Sequence, residues 1–317
     1  MICREDFIVM NEQHFVSIGL PTYNRADILP RAIDSVLAQD YSYFELILSD
    51  NASSDTTEAV CLAYTKLDAR IRYHRNDKNL GAIENYNTVL MLSRGEYYIA
   101  FADDDILAPN YVSSCLNEIL SRPGSALISG RCLLPDGMGK WNKGHSMNIL
   151  PDSPQERVLQ SYSAPAHWAF HGIARRDLFE SIAPMPRMIG GDWLYMARIA
   201  FFGTIHTIDT TAIWKSTDGA SSNLVNLAAA EMLPPSAADH SHRSLLLAAV
   251  RDIALASPVY AVSGRADRLR LAARVALVLI LRFTLEYLDT YILQYLRPLT
   301  PRVLTRSVKF YLGRNKA

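Results

Sequence analysis

Two hydrophobic rhythms alternate along the first third of the chain. The apolar run FVSIGL at 15–20 suits a buried strand, and the Pro-Thr-Tyr-Asn after it is expected to stop that strand, since proline cannot donate to a central ladder. From Asp27 onward, Ile28, Leu29, Ala32, Ile33, Val36 and Leu37 recur at helical spacing. A second strand at 44–48 runs into Ser49-Asp50-Asn51-Ala52-Ser53-Ser54-Asp55, a stretch of turn and cap residues. A helix over about 56–67, a strand over 71–74, a turn at Asn79-Leu80-Gly81, a helix over 82–93 and a strand over 97–102 follow. Strand and helix in alternation predict an α/β fold with a mostly parallel central sheet flanked by helices. In such a sheet ligands bind off the carboxyl ends of the strands. Pro21-Thr22-Tyr23-Asn24, Ser49-Asp50-Asn51 and Asp103-Asp104-Asp105 each follow a predicted strand and should therefore converge on one edge.

The second half is less regular. The pattern predicts strands over 126–134, 168–174 and 204–209, a helix starting within 155–161 and a helix over 192–202. Residues 135–154 are polar with Gly and Pro, and 216–242, rich in Ser, Ala, Asn and Pro, read as a boundary or mobile loop. Helices are expected over 244–256 and 269–296, and no internal repeat is present.

At 317 residues and 49% apolar composition the chain can bury a sizeable core. Lys plus Arg equal Asp plus Glu at 32 each, which argues against nucleic acid as a partner. The balance hides an asymmetry: 11 basic and 3 acidic residues lie from Arg265 onward, leaving 21 basic and 29 acidic before it. The four cysteines are scattered without a C-x-x-C pair, which suits a reducing cytoplasm. No secretory signal pattern opens the chain. The most apolar segment, 271–296, is broken by Arg274, Arg282, Glu286 and Asp289, short of the ~20 residues a spanning helix needs. A basic amphipathic helix there could lie on an anionic membrane surface, pack on the catalytic unit, or form a homodimer contact.

The Rossmann G-x-G-x-x-G, the P-loop, H-E-x-x-H and G-x-S-x-G are all absent, which sets aside the chemistry each supports. His167 and His171 have the i, i+4 spacing of a helical metal pair, but Trp-Ala-Phe between them and Gly172 after suit a strand. The three aspartates at 103–105 stand out. Adjacent carboxylates repel and raise one another's pKa unless a cation or donors answer them. They could form a solvated turn capping a helix that begins at Asp105 or Ala108-Pro109 and runs to Leu120. They also suit Mn²⁺ or Mg²⁺ bridging two phosphates, an ion that needs hard oxygen ligands and only one or two protein carboxylates.

VSIGLPTYNR, ELILSDNASSDTT, NLGAIENYN and RGEYYIAFADDDILAPNY, in that order, resemble the donor half of the inverting family 2 nucleotide-sugar glycosyltransferases, which adopt the GT-A fold. The resemblance is close over 15–111 and looser to about 222. It implies a GT-A type, Rossmann-like catalytic domain over 1–222, with a donor half (14–111) and an acceptor half (112–222). Residues 223–317 would be a mobile loop and a basic helical C-terminal extension. Pro21, Thr22 and Tyr23 match the family's first loop, whose aromatic ring packs on the nucleotide base. Asp50 matches the aspartate that accepts from a base imide N–H, with Asn51 where many members have a second acid; both residues could instead cap the helix near 56. Asp103 would sit near the ribose or metal shell, Asp104 would ligate Mn²⁺ or Mg²⁺ directly, and Asp105 would do so through water. Lys78 or Arg75 could meet a phosphate. Asp192 in Gly190-Gly191-Asp192-Trp193-Leu194 matches the catalytic base, though Gly191 replaces an acid common in relatives. Trp168, His171 and Trp193 are implied acceptor contacts, and Lys215 is implied at the diphosphate, in a loop that keeps Gly219 but lacks the family's His.

The activity implied is metal-dependent inverting transfer from a UDP- or dTDP-sugar to a hydroxyl of a saccharide or lipid-linked acceptor, in surface polysaccharide assembly. The location implied is cytoplasmic and peripheral on the inner face of the plasma membrane. Nucleotidylyltransfer would need a Gly-rich N-terminal phosphate loop that is missing. A non-catalytic nucleotide-sugar-binding or scaffolding subunit is the alternative from another class.

Overall fold

The computed structural model describes residues 13–135, 141–143, 146–163, 167–182, 184–216 and 223–288. The side chain of Trp168, the Gly219 loop and the basic residues beyond 288 lie outside the described residues. The first units are β1 (Val16–Thr22), α1 (Leu29–Leu37), β2 (Phe44–Asp50), α2 (Thr57–Leu67), β3 (Ile71–Arg75), α3 (Ala82–Leu92) and β4 (Tyr97–Ala100). After them come β5 (Ile106–Leu107), α4 (Tyr111–Ser121), β6 (Ser125–Pro135), β7 (Trp141–Lys143), α5 (Pro154–Ser163), β8 (Ile173–Arg175), α6 (Arg176–Ser181), α7 (Gly191–Phe202) and β9 (Thr204–Trp214). Four helices complete the described chain: α8 (Leu224–Ala230), α9 (Ser236–Asp239), α10 (Ser241–Arg251) and α11 (Arg265–Tyr287).

The strands form one sheet in the order β3-β2-β1-β4-β8-β6-β9-β5, with β7 on β6. β1 to β4 are mutually parallel, β6 and β9 are parallel, and β8 runs antiparallel between β4 and β6. Every residue of β1, β2 and β4 is buried, as expected of strands covered on both faces. Alternate side chains feed two cores. Val16, Ile18, Leu46 and Ile99 pack with α1 and α4, whereas Ile47, Tyr98 and Ala100 join α3, α5, α7 and the C-terminal helices.

Three local expectations are corrected. β1 does not stop before Pro21 but runs through it to Thr22. Its pairing with β4 ends at Gly19↔Ala100, and the Gly19 carbonyl accepts from Phe101 N–H at 2.8 Å. Two residues on, the missing proline donor faces that same side, where β4 no longer pairs, so no ladder bond is lost. The strand expected over 168–174 is instead a 3₁₀ turn, His167–His171, followed by the short β8. Gly172 permits the switch: a Cβ there would lie 2.5 Å from the Ile128 carbonyl oxygen. Finally, the stretch read as a loop over 216–242 contains α8, α9 and the start of α10.

The C-terminal helices are fastened to the sheet domain. Leu271, Val275 and Leu279 of α11 are buried in the core shared with α5 and α7. Arg198 of α7 forms a buried two-point pair with Asp252, Nε–Oδ2 at 3.1 Å and Nη2–Oδ1 at 2.6 Å. Its remaining Nη1 donates to the carbonyls of Ile182 and Pro184.

Candidate active site

The carboxyl ends of β1, β2 and β4 open onto a cavity of about 690 Å³. Two loops are tied together at its rim. Asn24, at φ 53°, donates its N–H to the Ser53 hydroxyl and accepts from Ser54 N–H, which holds the loop after β1 against the loop after β2. Behind them lies a buried amide network. Asn51 donates to Asn79 and to the Gly81 carbonyl and accepts from Asn76 and Leu80 N–H, while Asn85 bonds Ser49 and Asn76. The network fixes the turn that starts α3. Asp55, rather than Asp50 or Asn51, accepts from Thr57 N–H at the start of α2.

Pro21, Thr22, Tyr23, Asn51, Asp103, Asp104, His171, Asp192, Trp193 and Lys215 all line this cavity. Tyr23 presents a 42% exposed ring. Three other expected site residues stand elsewhere. Asp50 is fully buried: Oδ1 accepts from Ser53 N–H, and Oδ2 accepts from the Tyr73 hydroxyl and the Arg75 guanidinium. Lys78 is exposed and away from the lining. Asp105 is buried, pairs with the Lys215 ammonium and accepts from Ser216 N–H at 3.1 Å.

The aspartate run is electrostatically loaded. Burial, then the adjacent Asp104 charge, push the Asp103 carboxyl up to about 7, against the lowering influence of Thr22 and of Arg25 at 3.9 Å. Burial foremost also raises Asp104 and Asp105, with Lys215 pulling both back. His171 lies beside Lys215. Its Nδ1 bonds the Ala100 carbonyl at 2.8 Å, and because a carbonyl only accepts, Nδ1 carries the hydrogen. Nε2 then accepts from Lys215 Nζ at 2.9 Å. Burial, then Lys215, lower the imidazole to about 3, so it is neutral. Both ring nitrogens of the expected acceptor contact thus serve protein partners, and His171 holds the lysine.

Asp192 sits in the first turn of α7. Gly190 before it has φ +80°, and a Cβ at Gly191 would come 2.1 Å from the Pro186 carbonyl oxygen. The backbone therefore leaves no room for a side chain at 191. Glu231, just after α8, lines the cavity too, although the sequence pattern did not single it out; its carboxylate accepts from Ile83 N–H at 3.0 Å, at the start of α3. Burial foremost pushes Glu231 up to about 7, with Asp192 and Glu84 adding to the rise. His242, Phe283 and Glu286 line the cavity too, and no local motif marks any of them.

Among the described residues no three His, Cys, Asp or Glu side chains form a complete metal cage. Two half-buried, adjacent carboxylates, Asp103 and Asp104, their proton affinity raised, fit a cation that takes its remaining ligands from phosphate and water.

A mixed sheet with parallel β1 to β4, flanked by helices, with carboxylates at its strand ends and an acid at a helix start lining one cavity, is a GT-A type fold. The family model for glycosyl transferase family 2 matches residues 17–183, and the chain belongs to that family. Two curated relatives illustrate the match. WcaA of Escherichia coli K12, which carries a provisional assignment as a colanic acid biosynthesis glycosyl transferase, is 34% identical over 150 residues, 47% of this chain and 53% of that protein. The GalNAc(5)-diNAcBac-PP-undecaprenol beta-1,3-glucosyltransferase of Campylobacter jejuni is 35% identical over 167 residues, 52% of this chain and 53% of that protein. The chain thus spans about half the length of the curated relatives it matches. Solved structures share the fold at low identity. Staphylococcus aureus TarS in complex with UDP-GlcNAc gives a TM-score of 0.56 at 14% identity, covering 94% of this chain and 79% of the other. The mannosyltransferase PcManGT of Pyrobaculum calidifontis, in complex with GDP-Man and Mn²⁺, gives 0.55 at 16%, covering 95% and 86%.

Proposed function

We propose that the protein transfers a sugar, with inversion, from a UDP- or dTDP-sugar to a hydroxyl of a saccharide or lipid-linked saccharide during surface polysaccharide assembly. The supporting observation is the meeting of Asp103, Asp104, Lys215 and Asp192 around one cavity whose rim carries Pro21, Thr22 and Tyr23. The Tyr23 ring packs on the base, a contact that gives affinity without choosing the base. Asp50 acts from behind: holding Arg75, Tyr73 and the Ser53 N–H, it braces the loop after β2 rather than contacting the base itself. Asp104, with Asp103, would hold Mn²⁺ or Mg²⁺. When bound, such an ion neutralises diphosphate charge. Lys215, aligned by Asp105 and His171, adds a fixed positive charge on the same side.

Asp192 takes the proton of the acceptor hydroxyl as its oxygen attacks the anomeric carbon, and the nucleoside diphosphate leaves on the opposite face in a single displacement. The relatives' names support the acceptor class: one is named for colanic acid biosynthesis and the other for an undecaprenol-linked substrate. A membrane-surface location agrees with α11, whose solvent side carries Leu277, Ile280, Leu281 and Leu285 together with Arg270 and Arg274. No helix among the described residues is long and apolar enough to cross a membrane.

A thermal-shift panel of UDP-, dTDP-, GDP- and CMP-sugars, with and without Mn²⁺, tests the reading. Stabilisation by UDP- or dTDP-sugars that grows with Mn²⁺ is expected. Stabilisation by none of them, or equally with and without the ion, would contradict it.

A further inference from the structure

The family match ends at residue 183, yet the cavity continues well past it, over a wall built by α7, α10 and α11. On this wall the His242 ring lies flat on Phe283, centroids 4.2 Å apart and planes within 6°. The His242 side chain is 57% exposed, which leaves its outer surface open to solvent. Glu286, one turn along α11 from Arg282, stands 3.7 Å from His242 Nε2. It is held by Arg282 Nε at 3.1 Å. Arg282 is itself fixed, with Nη1 on the Tyr162 carbonyl at 3.2 Å and its guanidinium 4.4 Å over the Trp193 ring, next to Asp192 in the chain.

We infer that His242, Phe283 and Glu286 form a subsite for an uncharged pyranose, and that the C-terminal helices thereby select the acceptor sugar presented to Asp192. The inference rests on the glycosyltransferase reading. Its chemistry follows from the side chains. A stacked aromatic pair offers a flat apolar platform to the C–H face of a pyranose ring. The Glu286 carboxylate accepts from one ring hydroxyl while the His242 imidazole N–H donates to its neighbour, and hydrogen bonds to a charged acceptor are the stronger kind. Arg282 is committed to Glu286, the Tyr162 carbonyl and the Trp193 ring, so it offers no ready partner for an anionic sugar, and Glu286 repels one. Few polar groups converging on an apolar wall is the usual make-up of a specificity pocket. The Arg282 frame also separates this subsite from the aspartates: it needs neither the cation nor the nucleotide to be formed.

Saturation-transfer NMR on the full chain decides the matter, with methyl β-D-glucopyranoside, methyl β-D-galactopyranoside and the anionic methyl β-D-glucuronide as probes. UDP binding, measured in parallel with Mn²⁺, reports the donor site. Transfer to at least one neutral glycoside and none to the glucuronide is expected for the wild type. His242→Ala and the milder Glu286→Gln should each weaken the neutral glycoside about tenfold, the worth of one charge-assisted hydrogen bond or stacked face. Wild-type UDP binding with glycoside signals that neither substitution changes overturns the subsite alone. So does a glucuronide that binds as well as the neutral sugars. Failure of the wild type to bind UDP instead removes the donor reading on which the subsite rests.

Discussion

Removing one partner of the Arg198–Asp252 pair puts a number on how firmly the C-terminal helices are joined to the helix that carries Asp192. Both residues are at most 6% exposed. Asp252 supplies the acceptors for Nε and Nη2, whereas Nη1 has the Ile182 and Pro184 carbonyls. Asp252→Ala strips two charge-assisted bonds and leaves a buried guanidinium with neutral acceptors only. Breaking a buried pair in this way costs about 3–5 kcal/mol. Replacing both partners by apolar residues, Arg198→Met with Asp252→Leu, removes the stranded charge, so the double variant should lie within about 1–2 kcal/mol of the wild type. Urea denaturation followed by circular dichroism at pH 7 reads both variants against the wild type. A loss below about 1 kcal/mol for Asp252→Ala, or a double variant at least as unstable as Asp252→Ala, would count against this.

Glu231 gives a pH signature. Its carboxyl is pushed up to about 7 from an ordinary 4.5, so the folded state holds the proton to higher pH than the unfolded state and stability falls between those values. The difference is worth at most roughly 3 kcal/mol. Glu231→Gln, which keeps an acceptor for Ile83 N–H, should therefore gain on the wild type as pH rises from 5 to 7.5; identical pH slopes in urea titrations would contradict this. At Gly191 the 2.1 Å approach of a Cβ to the Pro186 carbonyl forces the start of α7 to shift. Gly191→Ala should lower sugar transfer about a hundredfold, as misplacing a catalytic group by ~1 Å does, while UDP affinity stays near the wild-type value. Equal transfer rates would show that Asp192 does not depend on that close contact.

The first seven elements were legible because period 2 and period 3.6 alternate cleanly there and each strand ends in a distinctive polar loop. The carboxylates at 103–105 stand out because they close an apolar run, whereas Asp192 is marked only by the resemblance of Gly190-Gly191-Asp192-Trp193-Leu194 to a family motif. What failed was long-range. Glu231 reaches Ile83 across 148 residues and Lys215 reaches Asp105 across 110, and neither contact leaves a local pattern. Asp50 shows a different limit. Its place at a strand end was read from the sequence, but the Arg75 and Tyr73 partners that turn it away from the cavity come from β3, one strand further out. His171 was misplaced in the pattern because a 3₁₀ turn packed with aromatic residues has the hydrophobic content of a strand. Helices α8 and α9 were hidden by composition, since Ser, Ala, Asn and Pro also make loops, whereas most of α10 falls within the helix expected over 244–256.

In the proposed reading one cavity binds the nucleotide beside the aspartates and performs transfer through Asp192. Turnover of a UDP-sugar, followed by NMR of the anomeric product and normalised to UDP affinity, tests it in a wild-type and Asp192→Asn comparison. The wild type should give an inverted product, and the variant should keep UDP affinity within about twofold while its turnover falls by at least ~100-fold. Wild-type turnover from Asp192→Asn, or a product of retained configuration, would contradict it.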